Sequence, residues 1–394
     1  MNTYPKDTYD LLAGALGNNG NRELQGFLDD IVSIKYNVLD LTGFPMSSDM
    51  LLDFTYEQVQ KELKMNVMAT YVDLDSLPIP LATEGVTLET GKIPRMKLME
   101  VFNEDKIRKQ LILEQRFGNG SDRAKQAAVK NLFITVDKLI GGHTNSLTYQ
   151  RHQVVSTGQF TLTATNNPRG IKGHTFSSHV PAANKTALSG HYRWWTAVSA
   201  AGVYSSEGTS ADPIQNLKDM DDVADDKGVT MKHFEIDKLY AKQVVNHSKV
   251  TTAIGYYINA LADDDATAVK IASNKTWQER LTILGEIVGA PFIVIDSIVS
   301  VEKLVNGVIT RPQFRAFAAN SIVLLPDGNL GETLTVEPIM LSGGTYGTFY
   351  DGRLLLTVDY DYVQKLQAYY TEMTSLVVPD KPQYMWYLTP YTSS

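Results

Sequence analysis

The chain has no cysteine, which excludes disulfides, thiolate metal sites and cysteine nucleophiles, and fits a reducing compartment. Long hydrophobic runs are missing as well. The longest, such as Pro291 to Ile298, extend about eight residues, far short of the roughly 20 that cross a bilayer. The first ten residues hold Lys6, Asp7 and Asp10 and no apolar core, so a secretory signal is not expected there. Positive charge is in deficit. With 36 Lys and Arg against 44 Asp and Glu, the formal charge is −8, which disfavours tight, sequence-specific nucleic-acid binding. Catalytic signatures are also absent: there is no His-Glu-x-x-His and no Gly-x-Ser-x-Gly, and Gly343-Gly344-Thr345-Tyr346-Gly347 lacks the Lys-Ser/Thr and following helix of a nucleotide loop. A turn accounts better for that glycine segment. Catalytic, cofactor-binding and metal-ligating residues are therefore all expected to be none.

What is present is an ordinary globular composition, 43% hydrophobic and 20% charged, in 394 residues. That length exceeds the usual ceiling for one core, so two or more packed regions are expected. From Asn2 to Gly43 the pattern suggests an arm with helical pieces, carrying Leu24, Phe27, Leu28 and Ile31 at helical spacing. Ser48 or Asp49 to Leu63 predicts a second helix with Leu52, Val59 and Leu63 on one side. Between Met65 and Phe102 the period changes to two, with Val67, Ala69 and Tyr71 on an outgoing limb and Met96 to Val101 on a returning limb that faces it. Pro78, Pro80, Gly85, Gly91 and Pro94 favour an extended loop between the limbs.

Residues 121–157 predict a helix of about 55 Å with Ala124, Ala128, Leu132, Val136 and Leu139/Ile140 in a stripe, stopping at Gly158 and open to a kink at Gly141-Gly142. A hairpin follows from Phe160 to Phe176 around Asn166-Asn167-Pro168-Arg169-Gly170, then a loop with Trp194-Trp195, then a helix opened by Asp212-Pro213. A strand and several helices alternate from Val229 to Gly289, the last running from about Thr276 to Val288. Val294 to Leu304 and Val308 to Phe317 flank Asn306-Gly307, a strong hairpin turn. Two more strands follow, and the chain closes with Glu372 to Val378 and Tyr384 to Leu388.

Other groups invite sharper readings and receive plainer ones. His143, His152, His174 and His179 lack the i, i+4 spacing of helical metal ligands and predict hydrogen-bonding or surface roles. Asp219, Asp221, Asp222, Asp225 and Asp226, like Asp263 to Asp265, lack calcium-loop spacing and predict a solvated face. Trp194, Trp195, Tyr384, Trp386, Tyr387 and Tyr391 lack the interleaved basic residues of a nucleic-acid stacking platform, so core or subunit packing is expected.

Three local patterns carry a resemblance: Gln153 to Phe160, where a long helix ends at Thr157-Gly158 and enters a strand; His191-Tyr192-Arg193-Trp194-Trp195 ahead of Asp212-Pro213-Ile214; and the Pro291 to Gly347 series. With the order of elements around them, they resemble the Hong Kong 97 fold of tailed-phage major capsid proteins, in the lambda-like major head protein subgroup. The resemblance implies an α+β chain with an N-terminal arm (1–64), an extended β-hairpin loop (65–103), a peripheral domain with a spine helix (104–184), a mixed α/β axial domain (185–360) and a C-terminal return to the peripheral domain (361–394). It implies a major capsid protein, not an enzyme, that self-assembles into hexamers and pentamers of an icosahedral shell around double-stranded DNA. Its implied partners are itself, a portal, a scaffold, decoration proteins and packaged DNA bound without sequence specificity. No membrane is implied, and the implied location is the virion after assembly in the host cytoplasm.

The residues expected at inter-subunit contacts are Leu77, Ile79, Leu81, Val86, Leu88, Ile93 and Arg95 in the extended loop, and Leu24, Phe27, Leu28 and Ile31 in the arm. Physically, segments that bury too little surface alone gain it between subunits. An encapsulin-like compartment with the same fold, or a soluble β-rich enzyme whose site joins distant residues, stays open as an alternative.

Overall fold

One unbroken helix, α1 (Asp122–Thr157, 36 residues), forms where the long stripe predicted it. It is seen in a computed structural model that describes residues 40–60, 87–102, 104–105, 122–199, 203–339, 345–361 and 366–392. Gly141-Gly142 does not break it. A Cβ on Gly142 would sit 2.3 Å from Leu98 Cδ1, so the missing side chain leaves room for a close neighbour. The helix stops at Gly158, whose N–H donates to the Val154 carbonyl at 2.9 Å.

The architecture is mixed α+β, and the chain divides into two compact units. The first is formed from 1–56, 91–148 and 333–377, the second from 57–90, 149–332 and 378–394. The expected axial range 185–360 and return segment 361–394 are each shared between these units.

In the first unit the sheet is antiparallel and its pairings are long-range. The strand Arg95–Phe102 pairs with Leu366–Pro379, from Arg95 opposite Thr374 to Phe102 opposite Gln367. Leu366–Pro379 also pairs with Leu354–Asp361, which pairs in turn with Thr345–Phe349. The returning limb is therefore joined to a strand late in the chain, and the outgoing limb around Val67 to Tyr71 lies outside the described residues. Thr345, Tyr346 and Gly347, expected in a turn, belong to a strand, while Gly343 and Gly344 lie outside the described residues.

The helix expected from Ser48 or Asp49 does not form over its described part. Ser47 and Leu51 donate backbone hydrogen bonds to Thr333 and Thr335, and Thr55–Gln60 is a strand paired with Thr87–Lys92. The Asp53 carboxylate accepts from the Phe54 N–H at 2.7 Å and the Thr55 hydroxyl at 2.6 Å. Such local side-chain bonds compete with helical ones.

In the second unit a five-stranded mixed sheet runs in the order Phe292–Ile295, Met231–Asp237, Ile322–Pro326, Trp386–Thr389, Lys185–Ala187. The first two strands are parallel, which demands a crossover connection. Helices α3 (Lys238–Val244), α4 (Ser248–Ile258), α5 (Asp265–Ser273) and α6 (Trp277–Val288) supply it, and α2 (Pro213–Asp225) precedes the strand Met231–Asp237. Ile322, Val323, Leu324 and Leu325 are all buried, as expected of a central strand covered on both faces.

The helices begin where their caps say they should. Asp212 accepts from the Gln215 N–H ahead of Pro213, and Thr276 with Glu279 forms a reciprocal capping box. Helices α4 and α5 pack so closely that a Cβ on Gly255 would lie 2.0 Å from the Ala268 carbonyl oxygen. Around the sheet, Leu217, Phe234, Ile236, Val250, Ile254, Leu284, Trp386 and Leu388 form one hydrophobic core. Trp194, Trp195, Trp386 and Tyr387 are buried, which is the packing role expected of them. Trp195 itself opens a short strand, Trp195–Val198, and the last strand begins at Trp386 because Pro382–Tyr384 forms a 3-10 turn.

Candidate functional site

Two features of the second unit stand out, one buried and charged, the other exposed and apolar. The strand Met231–Asp237 places Glu235 and Asp237 two residues apart, so both carboxylates leave the same face of the sheet. Glu235 meets Arg151 of α1 in a two-pronged ion pair, with Nη1 to Oε2 at 2.8 Å and Nη2 to Oε1 shorter still. Both side chains are buried. Burial alone would raise the Glu235 pKa, but the charge and hydrogen bonds of Arg151, with His233 Nε2 3.7 Å away, outweigh it and bring it to about 2. The same negative charge, on top of burial, pushes the Tyr387 phenol far up.

Asp237 accepts from the Leu239 and Tyr240 N–H groups at the start of α3 and pairs with Arg315 Nε. Arg315 reaches on to Asp296 Oδ1 at 2.7 Å, and Lys238 holds the other oxygen of Asp296. Partial burial works to lower the Arg315 pKa, but the hydrogen bonds and charges of Asp237 and Asp296 outweigh it and raise it. Every carboxylate of this seam is held by a cation, so the arrangement can lock strands and a helix together but offers no free acid, base or nucleophile.

Three histidines make contacts of their own. His143, in the first unit, shares a hydrogen bond with Thr371 Oγ1 at 3.0 Å, and burial lowers its pKa to about 4. His152 Nδ1 lies 3.1 Å from Arg151 Nη1, and His174 stacks on Phe176. Of the acidic runs, Asp264 caps α5 and Asp265 accepts from the Tyr256 hydroxyl at 2.8 Å. Among the described residues, no group of three His, Asp or Glu gathers as metal ligands would.

The exposed feature is a hairpin. Lys303–Val305 and Val308–Thr310 pair antiparallel, with Leu304 opposite Ile309 and Val305 opposite Val308. Asn306 and Gly307 turn the chain with φ of 50° and 79°, the left-handed pair that a two-residue hairpin loop requires. Alternation sends Leu304 and Ile309 to one face and Val305 and Val308 to the other. All four remain open to solvent, at 60%, 56%, 41% and 63% exposure respectively. At the base, Arg311 Nη2 holds Glu302 Oε1 at 2.8 Å and Arg169 lies 3.6 Å from Glu302 Oε2. An isolated two-stranded ladder is marginal in water, and this one presents β-branched residues on both sides.

Sequence reasoning placed the Asn306-Gly307 turn but did not mark this hairpin as a surface. Its signal was Leu-Val-Asn-Gly-Val-Ile, apolar at consecutive positions with no polar face. Of the expected contact residues, Leu24, Phe27, Leu28, Ile31, Leu77, Ile79, Leu81 and Val86 lie outside the described residues. Leu88 falls in the strand Thr87–Lys92. Ile93 is buried at 4% exposure, with its N–H donated to the Phe54 carbonyl. Arg95 pairs with Glu372 at 3.0 Å and lies over the Phe54 ring.

No family model matches the chain, and no curated protein sequence matches it either. Among solved structures it is similar to a phage-related protein from Bordetella bronchiseptica RB50, with 10% identity, a TM-score of 0.45, and coverage of 97% of this chain and 96% of that one. A protein assigned as a prophage capsid protein in E. coli CFT073 follows at 12% identity and a TM-score of 0.43, covering 77% of this chain and 79% of that one. The capsid of cyanophage P-SCSP1u follows at 10% identity and a TM-score of 0.41, covering 89% and 86%.

Proposed function

We propose that this chain is a shell-forming protein, the major capsid protein of a tailed phage, whose copies assemble as hexamers and pentamers of an icosahedral shell around double-stranded DNA. The observation that carries the reading is the Lys303–Thr310 hairpin, which exposes four aliphatic side chains on two faces. A contiguous apolar projection of this kind marks a protein contact, and obligate assemblies are where such surface is covered. The order of elements supports the same reading: a 36-residue helix, a hairpin at Gln159–Ser177, an α/β sheet and strands that return late in the chain. This is the order implied by the Hong Kong 97 resemblance. The charged seam fits a part that must keep its shape, because its ion pairs fix elements and leave no group free for chemistry.

In this reading the extended loop from Leu77 to Arg95 docks on one neighbour and the arm on another. A portal, a scaffold and decoration proteins are the further partners, and the virion is the destination. Sedimentation followed by negative-stain electron microscopy, on the chain expressed alone and with its neighbouring genes, tests the proposal. Closed shells or hexameric arrays are expected. Exclusively small particles in both preparations would overturn the shell reading, and shells that copurify with a cargo enzyme instead of a portal would move it to an encapsulin-like compartment.

A further inference from the structure

We propose that the apolar tip of the Lys303–Thr310 hairpin inserts into the pocket beside α2 on a second copy of this chain, an inference that rests on the shell reading above and names one of its contacts. The pocket is lined by Asn216, Asp219, Met220 and Val223 of α2 and by Trp386 and Tyr387 of the last strand. Val223 is exposed at its mouth, while Met220 and Trp386 form a buried floor. Met220, Val223 and the Trp386 ring give it an apolar part that suits an aliphatic side chain, which the tip supplies in Val305 and Val308.

A second, independent observation points to an occupant. The Trp386 indole N–H is buried and has no hydrogen-bond partner, a condition that an incoming acceptor would relieve. The hairpin tip carries acceptors, the Asn306 side-chain carbonyl and the backbone carbonyls of the Asn306-Gly307 turn. An aliphatic tip ending in an exposed amide is thus matched to a pocket whose apolar part is Met220, Val223 and the Trp386 ring, the last of which carries an unmet donor.

Charge favours the same pairing. At the hairpin base, Arg169 and Arg311 pair with the one carboxylate of Glu302, and Lys303 follows it in the sequence. Along α2, Asp219, Asp221, Asp222, Asp225 and Asp226 stand against Lys218 alone. Two further cations lie near the pocket: Lys185 over the Tyr387 ring and Lys227 over the Trp386 ring, the latter bonded to Asn184 Oδ1 at 2.8 Å. Asp219 accepts from Gln215 Nε2 at 2.7 Å. The acidic excess survives these pairings, and partial burial, with crowding by Asp225 and Asp222, raises the Asp221 pKa. An incoming cation relieves that repulsion.

Because the four hairpin residues are open to solvent within their own chain, the pocket they fill belongs to another copy. A finger on one surface and a socket on a different one form a head-to-tail contact, which propagates into rings or sheets of copies.

The absence of native cysteine gives a test with no background. Val308→Cys and Val223→Cys are introduced into separate full-length chains, mixed, assembled and oxidised, and the covalent dimer is read on a non-reducing gel. The mixture is expected to cross-link at least about tenfold more than either variant alone, with Lys303→Glu or Asp219→Lys each lowering the yield several-fold and the two together, one in each chain, restoring it. Circular dichroism checks that each variant folds, and Asp219→Cys replaces Val223→Cys if the latter does not. Wild-type shells visible by microscopy without selective cross-linking would overturn this contact and leave the shell reading standing. Equal cross-linking by Val308→Cys alone would replace it with a hairpin-to-hairpin contact. A wild-type chain that stays monomeric in sedimentation would overturn both.

Discussion

Arg151 and Glu235 show how much a single pair can decide. Both are buried, and their attraction offsets the cost of removing two charges from water only while both are present. Glu235→Gln leaves Arg151 charged and without its carboxylate, so it is expected to destabilise the fold by about 3 to 5 kcal/mol in urea unfolding. The pH dependence has a definite sign. Glu235 has a pKa of about 2, below its ordinary value of 4.5, so its contribution is present above pH 4.5 and is lost as pH falls toward 2. His143 runs in a higher window. Its folded pKa is about 4 against an ordinary 6.5, so below pH 6.5 the unfolded chain binds the proton first and stability falls as pH drops toward 4. His143→Gln is expected to flatten the dependence of the urea midpoint between pH 4 and 6.5 by up to about 1.4 kcal/mol per pH unit; an unchanged slope would remove His143 from that role. Neither effect was legible in the sequence, where Arg151 and Glu235 are 84 residues apart and nothing in a helical stripe announces which charged residue points inward.

Among the secondary-structure elements, two helical glycines that look alike have opposite expectations. A Cβ on Gly142 meets only the end of Leu98, a flexible and partly exposed side chain, whereas a Cβ on Gly255 meets the Ala268 backbone. Gly142→Ala is therefore expected to be neutral or stabilising by up to about 1 kcal/mol through helix propensity. Gly255→Ala is expected to cost about 1 to 3 kcal/mol or more by forcing α4 and α5 apart. Thermal melts of the two variants decide it. What the sequence disclosed at this scale was periodicity and punctuation. The long stripe ending at Gly158, the Asp212-Pro213 start and the Asn306-Gly307 turn were all readable because each depends on neighbours within a few residues. The segment after Ser48 misled because its apolar spacing is helical while its backbone partners, Thr333 and Thr335, are distant. The partner of Arg95–Phe102 was hidden for the same reason, lying at Leu366–Pro379. Exposure of the Lys303–Thr310 hairpin was hidden differently, since an apolar run gives no sign of which faces find cover.

For the whole molecule, the proposed role makes separate demands on inside and outside. Leu81→Asp, in the extended loop, is expected to stop assembly while the monomer still folds, as read by sedimentation and circular dichroism; normal shells from this variant would remove the loop from the contact set. Ile93→Asp is a poorer probe than it looked from the sequence, because Ile93 is buried within its own chain and an unpaired carboxylate there would burden the fold itself. The candidate contact surface was only half legible for a related reason: sequence patterns report what a chain can bury, and the hairpin and the α2 pocket matter for what they leave uncovered.

The way the chain threads its two units sets a clock. It leaves and re-enters each of them, and the first unit needs residues up to 377. In the second, Trp386–Thr389 lies between Ile322–Pro326 and Lys185–Ala187. Neither sheet can close before its late strand has been made, Leu366–Pro379 in the first unit and Trp386–Thr389 in the second. Contacts between copies that need either finished sheet therefore wait until that strand has been synthesised and has paired.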